Sequence, residues 1–502
     1  MELITAFENL SLGFHVALSL QNLAFCFFGV LVGTAIGVLP GVGPVATMAL
    51  LLPATYYLPP AGALIMLAGI YYGAQYGGST TAILVNLPGE ASSVVTCIDG
   101  HAMAKKGRAG PALAIAALGS FFAGTVATLA IALLAVPLSQ ISNYIGPAEY
   151  FSLMALGLVT AIVLAHGSVL KACGMVFLGL LLGIVGTDRT TGLQRFTFDM
   201  SSLFDGIDFV ILSMGLFGIA EIISNIGRSE SRDLITKGLG KLMPSRDDFR
   251  RAFPAAIRGT VLGGFLGILP GGGATLSSFA SYSLEKKLSK RREEFGKGAV
   301  EGVAGPESAN NAAAQTSFIP MLTLGLPSNV VMAMMIGGMM VHGITPGPRV
   351  MVERPDLFWG MIASMWVGNV MLLVLNLPLI GLWIRLLSTP YRLLGIAILF
   401  FCCIGVYSLN NNATDVGLMA LFGVVGYVFA KLGCEPAPLL LGFVLGGPME
   451  VNMRRAMLFS DGSMMTFITS PLSLAFLLFA AIILASVLFP KIKQQREEVF
   501  QE

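Results

Sequence analysis

Charge is what this 502-residue chain lacks: Asp, Glu, Lys and Arg make up 12% of it, about half the share of an ordinary soluble chain. Hydrophobic residues make up 55% and the mean hydropathy is +0.80. So little charge cannot cover a water-facing surface of this size, which excludes a soluble globule, a disordered chain and a nucleic-acid binder. Cysteine is sparse too. Cys26, Cys97, Cys173, Cys402, Cys403 and Cys434 sit in or beside apolar runs without metal-ligand spacing, so a disulfide scaffold and a zinc site are excluded. The four histidines, His15, His101, His166 and His342, are too scattered for a metal centre. No His-Glu-x-x-His, no phosphate-binding Gly-x-x-x-x-Gly-Lys-[Ser/Thr] and no intramembrane Asp pair occurs. The chain is therefore expected to be no enzyme, with no cofactor.

What is present is long apolar sequence. Backbone in hydrocarbon must satisfy its own hydrogen bonds, as helices or closed barrels, and a spanning helix needs about 20 apolar residues. Pro111–Val136 carries no charge over 26 residues, and Phe467–Leu488 carries none either. Further runs lie near 10–38, 62–87, 148–165, 168–186, 207–226, 254–283, 314–341, 357–383, 393–409 and 413–430, with a short Pro/Gly-rich run at 436–448. The prediction is an all-α integral membrane protein of roughly twelve segments. The N-terminus has no basic region, so no cleavable signal peptide is expected.

Basic residues cluster in four stretches: Lys105–Arg108, 227–251, 284–297 and the tail 491–502. By the positive-inside rule these are cytoplasmic and the N-terminus, with Glu2 and Glu8, is outside. The same clusters suit anionic membrane lipid.

Self-comparison exposes a duplication. Gly37-Val-Leu-Pro-Gly-Val-Gly43 recurs as Gly267-Ile-Leu-Pro-Gly-Gly-Gly273, 230 residues on, each after a Gly-rich helix. Ile83-Leu-Val-Asn-Leu-Pro-Gly89 corresponds to Leu322-Thr-Leu-Gly-Leu-Pro-Ser328, 239 residues on. Each second motif follows a polar stretch, 72–81 and 306–317. This divides the chain into a repeat at 1–226, a basic linker at 227–251, a repeat at 252–490 and a tail at 491–502. Between its two motifs the first half has no basic residue, whereas the second has the cluster 284–297; after the second motif the contrast is weaker and reversed, with Lys105, Lys106 and Arg108 in the first half against Arg349 and Arg354 in the second. Equivalent loops on opposite sides define an inverted-topology repeat, which places a substrate site near the midplane where broken helices meet.

Leu-Pro-Gly-x-Gly inside an apolar run breaks a helix. The freed N–H groups and half-helix starts suit carboxylates, and the freed carbonyls suit Na⁺. The candidate substrate-binding residues are Pro40, Gly41, Val42, Gly43, Ser79, Thr80, Thr81, Asn86, Pro88, Gly89, Gly271, Gly272, Gly273, Ala274, Thr275, Asn310, Asn311, Pro327 and Ser328. Thr81, Asn86, Glu307, Asn310 and Thr323 are candidates for a coupling ion, Na⁺ or H⁺. Glu90, Asp99, His101, Glu221, Glu301 and Asp415 are further ionisable residues in apolar context. No arginine falls inside either break, so an anion would rest on backbone N–H groups, hydroxyls and bound cations.

These strings, with Tyr71-Tyr-Gly-Ala-Gln-Tyr-Gly-Gly-Ser79, Asp99-Gly-His-Ala-Met-Ala-Lys-Lys-Gly-Arg-Ala-Gly110 and Glu301-Gly-Val-Ala-Gly-Pro-Glu-Ser-Ala-Asn-Asn311, closely resemble the TctA-type large membrane subunit of the tripartite tricarboxylate transporter family. The resemblance spans about 20–490. It implies a multi-pass protein of the bacterial inner membrane that imports citrate or another small carboxylate on an ion gradient. It also implies two partners, a small four-helix membrane subunit (TctB type) and a periplasmic solute-binding protein (TctC type). A stand-alone carrier is the alternative within transport.

Cysteine labelling from either side tests the topology. Positions 284–297 should react only from the cytoplasm; periplasmic reaction there would remove the charge contrast on which the inversion rests.

Overall fold

The computed structural model describes residues 2–39, 43–141, 145–165, 168–188, 190–226, 241–269, 273–387 and 391–486. The chain is 80% helical. The first half runs α1 (Glu2–Ala17), α2 (Leu20–Val38), α3 (Pro44–Thr55), α4 (Pro60–Val85), α5 (Val94–Lys105), α6 (Ala109–Ile141), α7 (Pro147–Leu164), α8 (Val169–Gly183), α9 (Phe209–Ser213) and α10 (Ala220–Ile226), with a π-helical turn at Met214–Ile219. Then follow α11 (Arg246–Ile268), α12 (Gly273–Leu288), α13 (Glu301–Thr316), α14 (Phe318–Leu324), α15 (Val330–Val341), α16 (Arg349–Glu353), α17 (Pro355–Asn376) and α18 (Ile380–Leu386). The last are α19 (Tyr391–Asn410), α20 (Ala413–Lys431), α21 (Pro436–Phe459), α22 (Thr466–Thr469) and α23 (Pro471–Ser486). A single described hairpin pairs β1 (Gly186–Thr187) antiparallel to β2 (Gln194–Arg195).

Five described helices are long and apolar enough to cross a membrane: α2, α6 over 109–134, α7, α17 and α20. Five shorter apolar stretches, at 44–55, 169–183, 209–224, 330–341 and 471–486, accompany them. The chain is thus a multi-pass helical membrane protein.

Several apolar runs are not single helices. Run 10–38 is divided at Ser19, whose hydroxyl accepts from the Asn22 N–H (3.4 Å) and caps α2. Run 254–283 is divided before Gly273, and run 314–341 at Gly325–Asn329. The short run 436–448 continues instead to Phe459, because Glu450 and Arg454 extend α21 as a polar helix held by ion pairs. Arg454 bonds Glu450 (2.7 Å) and Asp188 (2.9 Å), and Arg195 bonds both carboxylates (3.0 and 2.9 Å). The Thr190 N–H, aided by the Thr191 hydroxyl and the two arginines, holds the Asp188 carboxyl well below the usual carboxylate range. Of segment 227–251, residues 227–240 lie outside the described residues, and α11 begins within it: Ser245 and Asp248 form a reciprocal capping box. The tail 491–502 also lies outside them.

α4 is central. Every residue from Gly62 to Leu84 is buried, and so is every residue from Gly302 to Thr316 on α13. Each is sealed by a glycine stripe on its partner. A Cβ at Gly29, Gly33 or Gly37 of α2 would overlap the carbonyl oxygen of Met66, Ile70 or Ala74 on α4; one at Gly259, Gly263 or Gly267 of α11 would overlap that of Gly305, Ala309 or Ala313 on α13. The stripes are offset by 230 residues and the carbonyls by 239, the offsets of the two sequence motifs. Apolar lipid offers no drive for helices to associate, so close backbone approach must supply it.

Gly33→Val and Gly263→Val should each destabilise the protein by about 1–3 kcal/mol through overpacking, read as loss of thermal stability in detergent. Gly417→Ala, where a Cβ meets nothing within 4 Å, should change little.

Candidate functional site

A cavity of about 380 Å³ lies where the broken helices resume. Gly43, Pro44 and Val45 line it from the first half, and their counterparts at the 230-residue offset, Gly273, Ala274 and Thr275, from the second. Glu90, Ala91 and Ser92 line it with their 239-offset counterparts Asn329, Val330 and Val331. Both halves therefore contribute equivalent positions to one chamber. Tyr71 and Gln75 of α4, Glu435 and Leu441 at the start of α21, and Ala161 and Leu164 at the end of α7 complete the wall.

Five helices begin at this chamber. α3 starts from the N-cap Gly43, α15 from Asn329 and α21 from Glu435; α12 starts at Gly273 itself, and the 3₁₀ turn Ala91–Ser93 leading into α5 starts from Glu90. Leading N–H groups have no intrahelical acceptor and carry the positive end of the helix dipole. Gly273 adopts φ +50°, which a β-branched side chain resists. Glu90 already sits at one of these starts: it caps the turn, and the Ser92 hydroxyl lies between its carboxylate and Gln75 Oε1 (2.9 Å), with one proton to donate. Asn329 Oδ1 accepts from the Met332 N–H (2.9 Å), while its buried Nδ2 has no partner at bonding geometry, although Tyr71 stands beside it. No Lys or Arg is among the described residues lining the chamber. It combines helix starts that favour carboxylates with two carboxylates, Glu90 and Glu435, that favour a cation.

A second polar centre is separate. Glu307, fully buried on α13, accepts from the Ser79 hydroxyl (2.5 Å), the Thr96 hydroxyl and the Asn310 amide (3.5 Å). Asn311 donates to Ser120 Oγ (2.7 Å) and to the Glu307 carbonyl (3.0 Å). Ser79 and Thr96 belong to the first half and Glu307 to the second, so this carboxylate joins the halves. A buried carboxylate requires such donors.

The sequence candidates thus divide. Gly43, Gly273, Ala274 and Thr275 line the chamber; Ser79 and Asn310 gather at Glu307 with Asn311 behind them. Pro40, Gly41, Val42, Gly271 and Gly272 lie outside the described residues. Others hold backbone. Thr81 donates to the Val38 carbonyl at the end of α2 (2.5 Å), Thr323 to Ile319 within its own helix (2.8 Å) and Ser328 to the Ser317 carbonyl (3.2 Å). Asn86 ends α4 at φ 58°, and its counterpart Gly325 ends α14 at φ 71°, so the asparagine serves a left-handed cap. Pro88 and Pro327 follow those caps, Gly89 abuts the Gly37 carbonyl, and Thr80 is buried on α4.

Among the ionisable residues, Asp99 accepts from the Gly298 and Ala299 N–H groups (2.7 and 2.9 Å) and from Tyr282 (2.9 Å), tying α5 to the approach to α13. Glu301 pairs with Arg251 (2.7 Å), Asp415 accepts from Asn410 (2.9 Å), Glu221 approaches the Gly43 N–H, and His101 Nδ1 lies 3.0 Å from the Ile83 carbonyl. Sequence reasoning did not assign Tyr71, Gln75, Asn329 or Glu435 to the chamber. The 239 offset pairs Asn329 with Glu90, and Glu435-Pro436 reads as a helix start; both signals were available.

A helical multi-pass protein whose duplicated breaks open on one shared chamber is built as a membrane transporter. The chain belongs to the tripartite tricarboxylate transporter TctA family, whose model matches residues 23–441. That is a family of transporters, not of enzymes, and its systems contain other subunits. An uncharacterised 52.8 kDa protein in the TAR-I ttuC' 3' region of Agrobacterium vitis is 57% identical over 502 residues, 100% of this chain and 99% of that protein. An uncharacterised protein in the TAR-II ttuC' 3' region of the same species is 57% identical over 240 residues, 48% of this chain and 99% of that protein. No solved structure gives a significant match.

Removing a donor from the Glu307 centre tests its charge. Ser79→Ala or Thr96→Val should cost about 1.5–3 kcal/mol of unfolding free energy beside a carboxylate, and about 0.5–1.5 kcal/mol when Glu307→Gln has removed the charge. A double-mutant cycle measures the difference; equal costs in both backgrounds would show Glu307 to be neutral.

Proposed function

We propose that this chain is the translocating subunit of a bacterial inner-membrane tripartite system that takes up a small di- or tricarboxylate such as citrate. The observation that carries the reading is the convergence of helix starts from both halves on a single chamber. Substrate carboxylates accept from the free N–H groups of α12 and α15, with Asn329 Nδ2 as a further donor. The halves are related by inversion in the membrane plane, so the chamber lies near the midplane. A periplasmic solute-binding protein of TctC type delivers the substrate, and a four-helix TctB-type subunit completes the membrane part.

Coupling follows from charge. With the carboxylates of Glu90 and Glu435, and no Lys or Arg among the described residues lining it, the chamber disfavours a polyanion that enters alone. Na⁺ or H⁺ bound at these carboxylates removes the repulsion, so the cation enters before or with the substrate. Glu307, joining the halves, is a second place where a proton or Na⁺ would alter how they pack.

Uptake in proteoliposomes, with a panel of carboxylates, imposed Na⁺ or pH gradients and the partner proteins present or withheld, tests the reading. Uptake should need both the binding protein and a cation gradient; robust saturable uptake by this chain alone would favour a stand-alone carrier. Asn329→Asp gives a sharper test. Aspartate caps a helix as well as asparagine, so α15 is kept while a third carboxylate enters the chamber. Apparent affinity for a carboxylate should fall on the order of tenfold or more, and unchanged affinity would mean that the substrate binds elsewhere.

A further inference from the structure

A second pocket, of about 270 Å³, lies between the start of α11, the end of α12 and the start of α13. Five cations, Arg250, Arg251, Arg258, Lys290 and Arg291, line it against two carboxylates, Glu285 and Glu301. Both carboxylates are already engaged. Arg258 grips Glu285 with two bonds (2.8 and 2.6 Å), and Arg251 grips Glu301 with two (2.9 and 2.7 Å) while reaching Glu294 (2.6 Å). Arg291 has only a 3.6 Å approach to Glu294. Among the described residues, Arg250 and Lys290 form no ion pair. The pocket therefore holds a surplus of positive charge around paired, well-oriented guanidinium groups, the arrangement that receives a phosphate.

Its surroundings decide which phosphate. One helical row over from Arg250, Pro254 and Arg258, the same helix exposes Phe249, Phe253, Ile257 and Val261, each at least 40% accessible. This apolar band runs along α11 beside the residues that line the pocket. A free anion uses only the pocket; a phospholipid uses pocket and band together. The cluster also lies in the basic stretch that charge patterning assigns to the cytoplasmic boundary, the depth of lipid headgroups.

We propose that this pocket binds the phosphate headgroup of an anionic phospholipid whose acyl chains lie along the Phe249–Val261 band. Binding needs neither the transported substrate nor the partner subunits.

The test uses the full chain purified in detergent, with bound lipid counted by native mass spectrometry after adding short-chain phosphatidylglycerol, short-chain phosphatidylcholine or inorganic phosphate. Phosphatidylglycerol should be retained preferentially. Arg250→Gln and Lys290→Gln, both at exposed side chains without an ion pair, should each weaken it about fivefold. Lys286→Gln with Lys287→Gln removes twice the charge of either pocket variant, from the end of α12 outside the pocket, and should leave binding unchanged. Shielding of Lys290 from acylation by phosphatidylglycerol gives a readout on the unmodified chain. Equal protection by inorganic phosphate and phosphatidylglycerol would make this a free-anion site. An equal loss in the Lys286/Lys287 control would reduce it to diffuse surface charge. Undiminished binding in both pocket variants would overturn it outright.

Discussion

Glycine against carbonyl is the contact on which this architecture depends. At Gly33 and Gly263 there is no room for a Cβ, because the Ile70 and Ala309 carbonyls occupy its place. Helices held that closely are registered by backbone shape, and a slip of one residue would put a side chain where a glycine must be. The register then determines where each first helix ends. Gly37, near the end of α2, abuts Gly89 in the turn after α4, and Thr81 ties α4 to the Val38 carbonyl. In the second half Gly267 meets the Thr316 hydroxyl, and Ser328 bonds Ser317 just beyond α13. The first break and the second turn of each half are thereby brought together. Their free helix starts share one space as a consequence of packing several turns away.

How much of this was legible in the sequence follows from which constraints are local. The duplication, the helix breaks and the all-helical membrane character could be read, because Gly, Pro and the absence of charge act on the chain directly. The family could be read from the same strings. Where helices divide inside an apolar run was harder. Ser19 starts a helix by N-capping and Gly325 ends one as a left-handed residue, signals that hydropathy does not carry. The polar tracts divide between several roles. Thr81 and Thr323 have the chemistry of ligands, yet their partners are backbone groups one helix or a turn away, and Asn86 serves a left-handed helix end. The residues that do line the chamber beside the breaks, Tyr71, Gln75, Asn329 and Glu435, come from three separate elements. Only the packing of α2 on α4 and the placement of α21 bring them together. Alignment of the two halves contained part of this, since Asn86 lies opposite a glycine and Glu90 opposite an asparagine.

The frame is duplicated, but the chamber is not symmetric. Glu90 stands opposite Asn329, Pro44 opposite Ala274, and Val45 opposite Thr275. One wall therefore brings a carboxylate and a helix start without a leading N–H; the other brings an amide donor, a hydroxyl and a glycine-led helix. A symmetric chamber would hold a ligand equally well in two orientations. The asymmetric one has a wall suited to anions and a wall suited to cations. For a family that carries polycarboxylates this difference matters more than the total number of polar groups. Helix dipoles and backbone N–H groups supply attraction that is fixed when the protein folds and needs no buried arginine. Buried arginines would bind a polycarboxylate tightly in every state and slow its release. Partial charges would hold it weakly, and under the proposed function Glu90 and Glu435 would make even that hold conditional on a cation. Duplication thus supplies the two helix breaks, and divergence of a few side chains within it supplies the difference between the two walls on which the proposed dependence of the anion on a co-ion rests.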